Sequence, residues 1–189
     1  MGKTAILVVD MLKDNVDPDS PFSIGPEGGR IIPNIQRLLA AARKNNLPII
    51  FACDSFLPDD FIFQGRMKPH AIKGTEGAKI IPELEPQGSD LVLEKRRFSA
   101  FWGTNLDLIL KEMGVDQIAV SGVSTPVCVL TTMLDGISYG FKVIMLEDCC
   151  AAHRKEDHEF LANLYRKSPL YPLLRVMPLD EFLSAGFSP

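Results

Sequence analysis

The chain has 189 residues, 46% of them hydrophobic and 23% charged, a length and mix that suit one well-buried domain. Its net charge of -4 argues against nucleic acid or an anionic membrane as a partner, and the basic run Lys95-Arg96-Arg97 is too short to change that. No apolar run reaches the length of a membrane span, and Met1-Gly2-Lys3-Thr4 leads into a strand without a signal peptide or myristoylation pattern, so a cytoplasmic protein is expected.

Strand and helix signals alternate along the chain. Residues 5–9 form a continuous apolar run that ends in Asp10. Residues 31–45 have helical spacing, with Ile35, Leu38, Leu39 and Ala42 on one face. Strands are expected at 47–52, 90–94, 117–121, 141–146 and 173–177. Helices are expected at 106–113, ended by Gly114, at 127–139, closed by Gly140, and at 156–167. Near-continuous apolar strands between helices indicate a parallel sheet covered on both faces. The expected fold is therefore an α/β three-layer sandwich, with a mainly parallel sheet of about six strands flanked by helices, over residues 1–189 as one domain. Two long irregular stretches, 12–29 and 55–77, begin at the carboxyl ends of the first two strands. That edge is where open α/β sheets bind ligands; surface decoration is the other reading of such loops.

Cys128 stands out for its setting in Gly122-Val123-Ser124-Thr125-Pro126-Val127-Cys128-Val129. Ser or Thr suits an N-cap and Pro the first helical position, so Cys128 falls in the first turn of a helix just past strand four. The positive end of the helix dipole favours a thiolate there. The competing reading is a small apolar residue at the root of a helix. Asp10 ends strand one and Lys95 ends strand three, in Leu93-Glu94-Lys95-Arg96. Alone, Asp10 reads as a turn former or helix cap and Lys95 as a solvated charge. In a parallel sheet, however, all three project from one edge, where a carboxylate can take a thiol proton and a lysine can hold both in place. The remaining cysteines, Cys53, Cys149 and Cys150, show no zinc or disulfide spacing and read as buried free thiols, the last two just after strand five. Phe22, Phe56, Phe61, Phe63, Phe101 and Trp102 fall in strand-end loops, where they line a pocket, bury against one another or meet a second subunit. His153 and His158 are expected at the surface.

Three segments together resemble the isochorismatase-like cysteine hydrolases, which include nicotinamidases and N-carbamoylsarcosine amidases. They are Ala5-Ile6-Leu7-Val8-Val9-Asp10-Met11, then Leu93-Glu94-Lys95-Arg96-Arg97-Phe98-Ser99-Ala100-Phe101 with Gly103-Thr104-Asn105-Leu106, and the Cys128 segment with Gly140-Phe141-Lys142-Val143 and Glu147-Asp148 downstream. The resemblance implies Asp10, Lys95 and Cys128 as a catalytic triad. It also implies a cis peptide between Val123 and Ser124, and an oxyanion hole made by the Ser124 and Cys128 amides. The expected substrate pocket includes Phe22, Phe56, Phe101, Trp102 and Thr125.

The implied function is hydrolysis of a C–N bond in a small amide or carbamoyl compound through a thioester, nearest to N-carbamoylsarcosine amidase. Nicotinamidase-like or isochorismatase-type chemistry, or a binding protein that keeps the fold, are the alternatives. Nicotinamidases bind zinc through an Asp-x-His pair after strand two and a later His. Here the pair reads Asp54-Ser55-Phe56, with His70 later and Asp59 and Asp60 nearby, so neither metal nor another cofactor is expected. The expected partner is a small molecule, and the expected assembly a homodimer or homotetramer.

Overall fold

The computed structural model describes residues 3–187; the segment 1–2, with its reading as an unprocessed start, and residues 188–189 lie outside it. Six strands form one sheet: β1 (Lys3–Val9), β2 (Ile49–Asp54), β3 (Leu91–Lys95), β4 (Val115–Val123), β5 (Lys142–Ala151) and β6 (Leu174–Met177). Their order is β3-β2-β1-β4-β5-β6, and every neighbouring pair is parallel. Strand alternation divides the core into two layers. Ile6 and Val8 join one cluster with Ile35, Leu38 and Phe182. Ala5, Leu7 and Val9 join the other with Leu106, Leu110 and Met133. The first layer packs under α2 (Pro26–Lys44) and α6 (Leu179–Ala185), the second under α3 (Leu106–Glu112), α4 (Leu130–Ser138) and α5 (Lys155–Arg166). No described helix is long and apolar enough to cross a membrane.

The sequence expectation holds for all six strands, and the differences have local causes. Helix α2 begins at Pro26, five residues before the expected start, although Gly28-Gly29 reads as a breaker. Gly28 stays helical because its missing side chain lets the turn close on Ile24 and Val16; a Cβ there would stand 3.1 Å from Ile24 Cγ1. Strand β5 continues past the polar pair Glu147-Asp148 to Ala151, so Cys149 and Cys150 lie inside it rather than after it. Asp148 is what makes a carboxylate tolerable there. Its Oδ1 accepts the Leu179 N–H at 2.7 Å, capping α6, and its carbonyl accepts Asn34 Nδ2 at 3.0 Å. Its Oδ2 also accepts from Asn34 Nδ2, at 3.1 Å, so this one residue ties β5, α2 and α6 together. Helix α6 and the short α1 (Lys13–Val16) have too few apolar positions for periodicity to show.

The chain builds β1, β2 and β3 outward in one direction, then crosses to β4 and continues the other way. The reversal falls between β1 and β4, the place where open α/β sheets form a crevice at their carboxyl edge. Gly122 allows the two strands to meet closely there. It adopts φ 108°, and a Cβ on it would fall 2.0 Å from the Val9 carbonyl oxygen.

Candidate active site

Four successive strand ends place reactive groups at this crevice. Asp10 follows β1, with φ 51°, a left-handed conformation that side-chain-bearing residues seldom adopt. Asp54 closes β2, Lys95 closes β3, and Cys128 follows β4. All four are buried, Lys95 at 1% exposure although β3 is an edge strand. The Lys95 ammonium lies 2.9 Å from Asp10 Oδ2 and donates to Asp54 Oδ1. The Asp54 N–H donates to Asp10 Oδ1 at 2.7 Å. Asn15 Nδ2 fixes the Asp10 carbonyl at 3.0 Å. The Cys128 sulfur stands 4.0 Å from Asp54 Oδ2, and the ligating atoms of Asp10, Asp54 and Cys128 all lie within 4.8 Å of one another. Asp10 Oδ2 is angled poorly toward Lys95, so among the described residues no hydrogen-bond donor is aimed at it. A buried carboxylate oxygen beside a thiol, ion-paired but with no well-aimed hydrogen bond, is placed to receive a proton.

Electrostatics here are set by burial against pairing. Burial alone would lower the Lys95 pKa, but Asp10, the Cys128 sulfur and Asp54 outweigh it and hold it well above the ordinary lysine value. Asp54 is pushed well above the ordinary carboxylate range, first by burial and then by Asp10, against the pull of Lys95. Cys128 is also raised well above an ordinary thiol, by burial first, with Lys95 opposing and the two carboxylates adding. The helix-start argument for a thiolate is thus opposed by desolvation, which favours the neutral thiol.

Cys128 sits in a turn of π-helix, Thr125–Val129, that runs into α4. The peptide between Val123 and Ser124 is cis. The Ser124 carbonyl accepts the Val127 and Val129 N–H groups at 3.0 and 3.3 Å, while its own N–H meets no backbone acceptor among the described residues. Beside the turn lies a cavity of about 140 Å³, lined by Phe22, Phe56, Phe98, His70, Val127 and Cys128 among others, with Asp10 and Asp54 at its floor. A larger open cleft of about 440 Å³ lies near Arg96 and Trp102, but it contains no thiol, and its lysine, Lys73, is paired with Glu94.

Of the residues expected to line the pocket, Phe22 and Phe56 do so. Phe101, Trp102 and Thr125 do not. Phe101 is buried in the layer under α4, stacked on Tyr139 and Phe141. Trp102 is largely exposed, with the Arg97 guanidinium over its ring. Thr125 points away from the cavity lining into a buried hydrogen bond with His158, which is itself buried rather than on the surface. The expectation also passed over Asn15, Phe98 and the place of Asp54 beside the sulfur. Asp54 carries the same signal in the sequence as Asp10, an acid ending an apolar strand, which fits a turn former or a metal ligand as well as a place beside the sulfur.

A metal does not suit these residues. Among the described residues, the group of three possible ligands is Asp10, Asp54 and Cys128, and the Lys95 ammonium is already paired with both carboxylates, so a cation would meet a like charge. Phe56 is fully buried at right angles to Phe63, and His70 packs among Phe22, Phe56 and Phe63.

The class is thus an α/β sandwich with a wholly parallel sheet and an acid, an ammonium and a thiol gathered at its switch point. A sequence profile for the isochorismatase domain matches residues 4–172, and the chain belongs to the isochorismatase family. Solved structures agree. An isochorismatase-like hydrolase from Alkaliphilus metalliredigens superposes with a TM-score of 0.88 at 38% identity, over 97% of this chain and 99% of that one. An N-carbamoylsarcosine amidase from Thermoplasma acidophilum gives 0.82 at 30% identity, over 95% and 98%. The nicotinamidase PncA from Bacillus subtilis gives 0.83 at 28% identity, over 92% and 98%.

Proposed function

We propose that this hydrolase cleaves a C–N bond in a small amide or carbamoyl compound, with Cys128 as nucleophile. The observation that carries the reading is that Asp10 and Cys128 meet at one cavity, with the Lys95 ammonium behind them 2.9 Å from Asp10 Oδ2. The thiol proton passes to Asp10 as sulfur attacks the carbonyl carbon. The resulting oxyanion rests on the Ser124 and Cys128 N–H groups. Collapse breaks the C–N bond, and Asp10 returns the proton to the departing nitrogen. Asp10 then takes a proton from water, whose oxygen attacks the thioester. The acid leaves, and the proton goes back to sulfur. Lys95 stays charged throughout and, paired with Asp10 and Asp54, holds the Asp10 carboxylate in place as it takes and returns the proton.

The cavity narrows the choice of substrate. Its volume of about 140 Å³ suits a compound of benzene-like size. Phe22, Phe56 and Phe98 give it apolar walls, and among the described residues no lysine or arginine lines it. These features favour an uncharged acyl group over one that carries a carboxylate. The test is ammonia release from a panel of small amides and carbamoyl compounds, each neutral member matched to a carboxylate-bearing one of equal size. Release should occur with the unaltered protein and vanish with Cys128→Ala, and mass spectrometry should trap an acyl adduct on Cys128. Undiminished release by Cys128→Ala would sink the reading. Preference for the charged member of each pair would sink the substrate class alone.

A further inference from the structure

The turn that carries Cys128 is braced from the side away from the cavity. On α5, His158, Ala162 and Tyr165 fall at helical spacing on the inward face, and His158 is the polar member of that stripe. An imidazole buried there costs desolvation unless it finds a partner. Its partner is Thr125 Oγ1, 2.9 Å from Nδ1, and Thr125 is buried as well. His158 also lies below the ordinary histidine pKa, first through burial and then through Arg30 of α2, with Glu147 of β5, Glu159 of α5 and Glu27 of α2 opposing. Neither Thr125 nor His158 lines the catalytic cavity. Yet Thr125 opens the π turn, between Ser124, whose amide faces no backbone acceptor, and Cys128 three residues on. A rotation of this turn would move both groups together.

We infer that His158 is a positioning residue, which through Thr125 Oγ1 fixes the turn that presents the Cys128 thiol and the Ser124 amide to the cavity. The inference rests on the reading of Cys128 as nucleophile. It is tested by iodoacetamide modification of the intact protein, with the rates at Cys128, Cys53, Cys149 and Cys150 followed by peptide mapping. In the unaltered protein Cys128 should react first, because it alone of the four opens on the catalytic cavity. His158→Phe and Thr125→Val should each slow Cys128 by about tenfold, the scale of one buried hydrogen bond, while the other three thiols keep their rates. The double variant should lose no more than either single one, since both remove the same contact. Thr125→Ser, which keeps the hydroxyl, should keep the rate. If His158→Phe does not fold, His158→Gln with Thr125→Val carries the comparison. Unchanged or faster modification of Cys128 in the variants would overturn the inference. So would a rise at all four thiols, which marks a loosened fold, or a double variant that loses the product of the two single effects. Failure of Cys128 to react first in the unaltered protein would remove the nucleophile reading and the inference with it; any of the other adverse results removes the inference alone.

Discussion

Cys128 shows how position and environment can point in opposite ways. A helix start and a neighbouring lysine favour thiolate, but burial and two carboxylates outweigh them. Alkylation of Cys128 should therefore keep rising past about pH 9, where an ordinary exposed thiol is already levelling off. Stopped-flow or mass-spectrometric rates would show it, and a plateau near neutrality would contradict it. Lys95→Met should slow the reaction further, because the ammonium that lowers the thiol's pKa is gone. The metal prediction is also a matter of single residues. Hydrolysis, once a substrate is found, should survive chelator treatment, and Phe56→His should not by itself confer tight zinc binding, since Asp54 remains committed to Lys95. Stoichiometric zinc with chelator-sensitive turnover would refute this. Asp10, Lys95 and Cys128 were legible in the sequence because each lies at or just beyond the carboxyl end of a strand, and strand ends of a parallel sheet share an edge. Phe101, Trp102 and Thr125 were not, because the direction of a side chain in a loop is set by the loop's own packing: Phe101 turns to Tyr139 and Phe141, and Thr125 to His158. His158 left a trace, a polar residue at the spacing of an apolar stripe, but which surface that stripe faces depends on tertiary contacts.

Elements differ in how firmly local sequence specifies them. The strands were found within a few residues because a sheet covered on both faces demands continuous apolar runs. Helix α2 began early and β5 ran late because Gly28 and Asp148 have partners, Val16 and Ile24 for one and Leu179 and Asn34 for the other, that are distant in sequence or invisible to periodicity. The close approach of β1 and β4 at their carboxyl ends rests on a single missing side chain. Gly122→Ala would put a methyl group into the Val9 carbonyl and force a residue with a side chain into φ 108°. The expected loss is about 4 kcal/mol or more, beyond what most substitutions cause. Chemical denaturation measures it, and a loss under about 1 kcal/mol would mean the strands separate without harm. Gly140→Ala is a useful control, because a Cβ there meets nothing within 4 Å and only its φ of 89° is unfavourable.

Over the whole molecule, apolar residues remain uncovered on the outer side of α5 and in the segment that follows it. Phe160 is 66% exposed, Tyr171 67%, and Leu164 and Leu173 are also open. Phe160 and Leu164 are one helical turn apart and form part of a surface suited to a second copy of the chain. Light scattering should therefore give a dimer or tetramer at micromolar concentration, and Phe160→Glu should shift it toward the 20.9 kDa monomer. A monomer in the unaltered protein would refute the expectation, and an oligomer indifferent to Phe160→Glu would place the interface elsewhere. The ionic group at the sheet edge has a consequence of another kind. Lys95, Asp10 and Asp54 are charged side chains removed from water, and buried charges of this sort can often be replaced by well-packed apolar residues of similar volume with no loss, or a gain, in stability. A selection for heat resistance alone, with catalysis unmonitored, would therefore tend to erase these three residues first, and a tougher descendant of this protein would be recognisable by its silence.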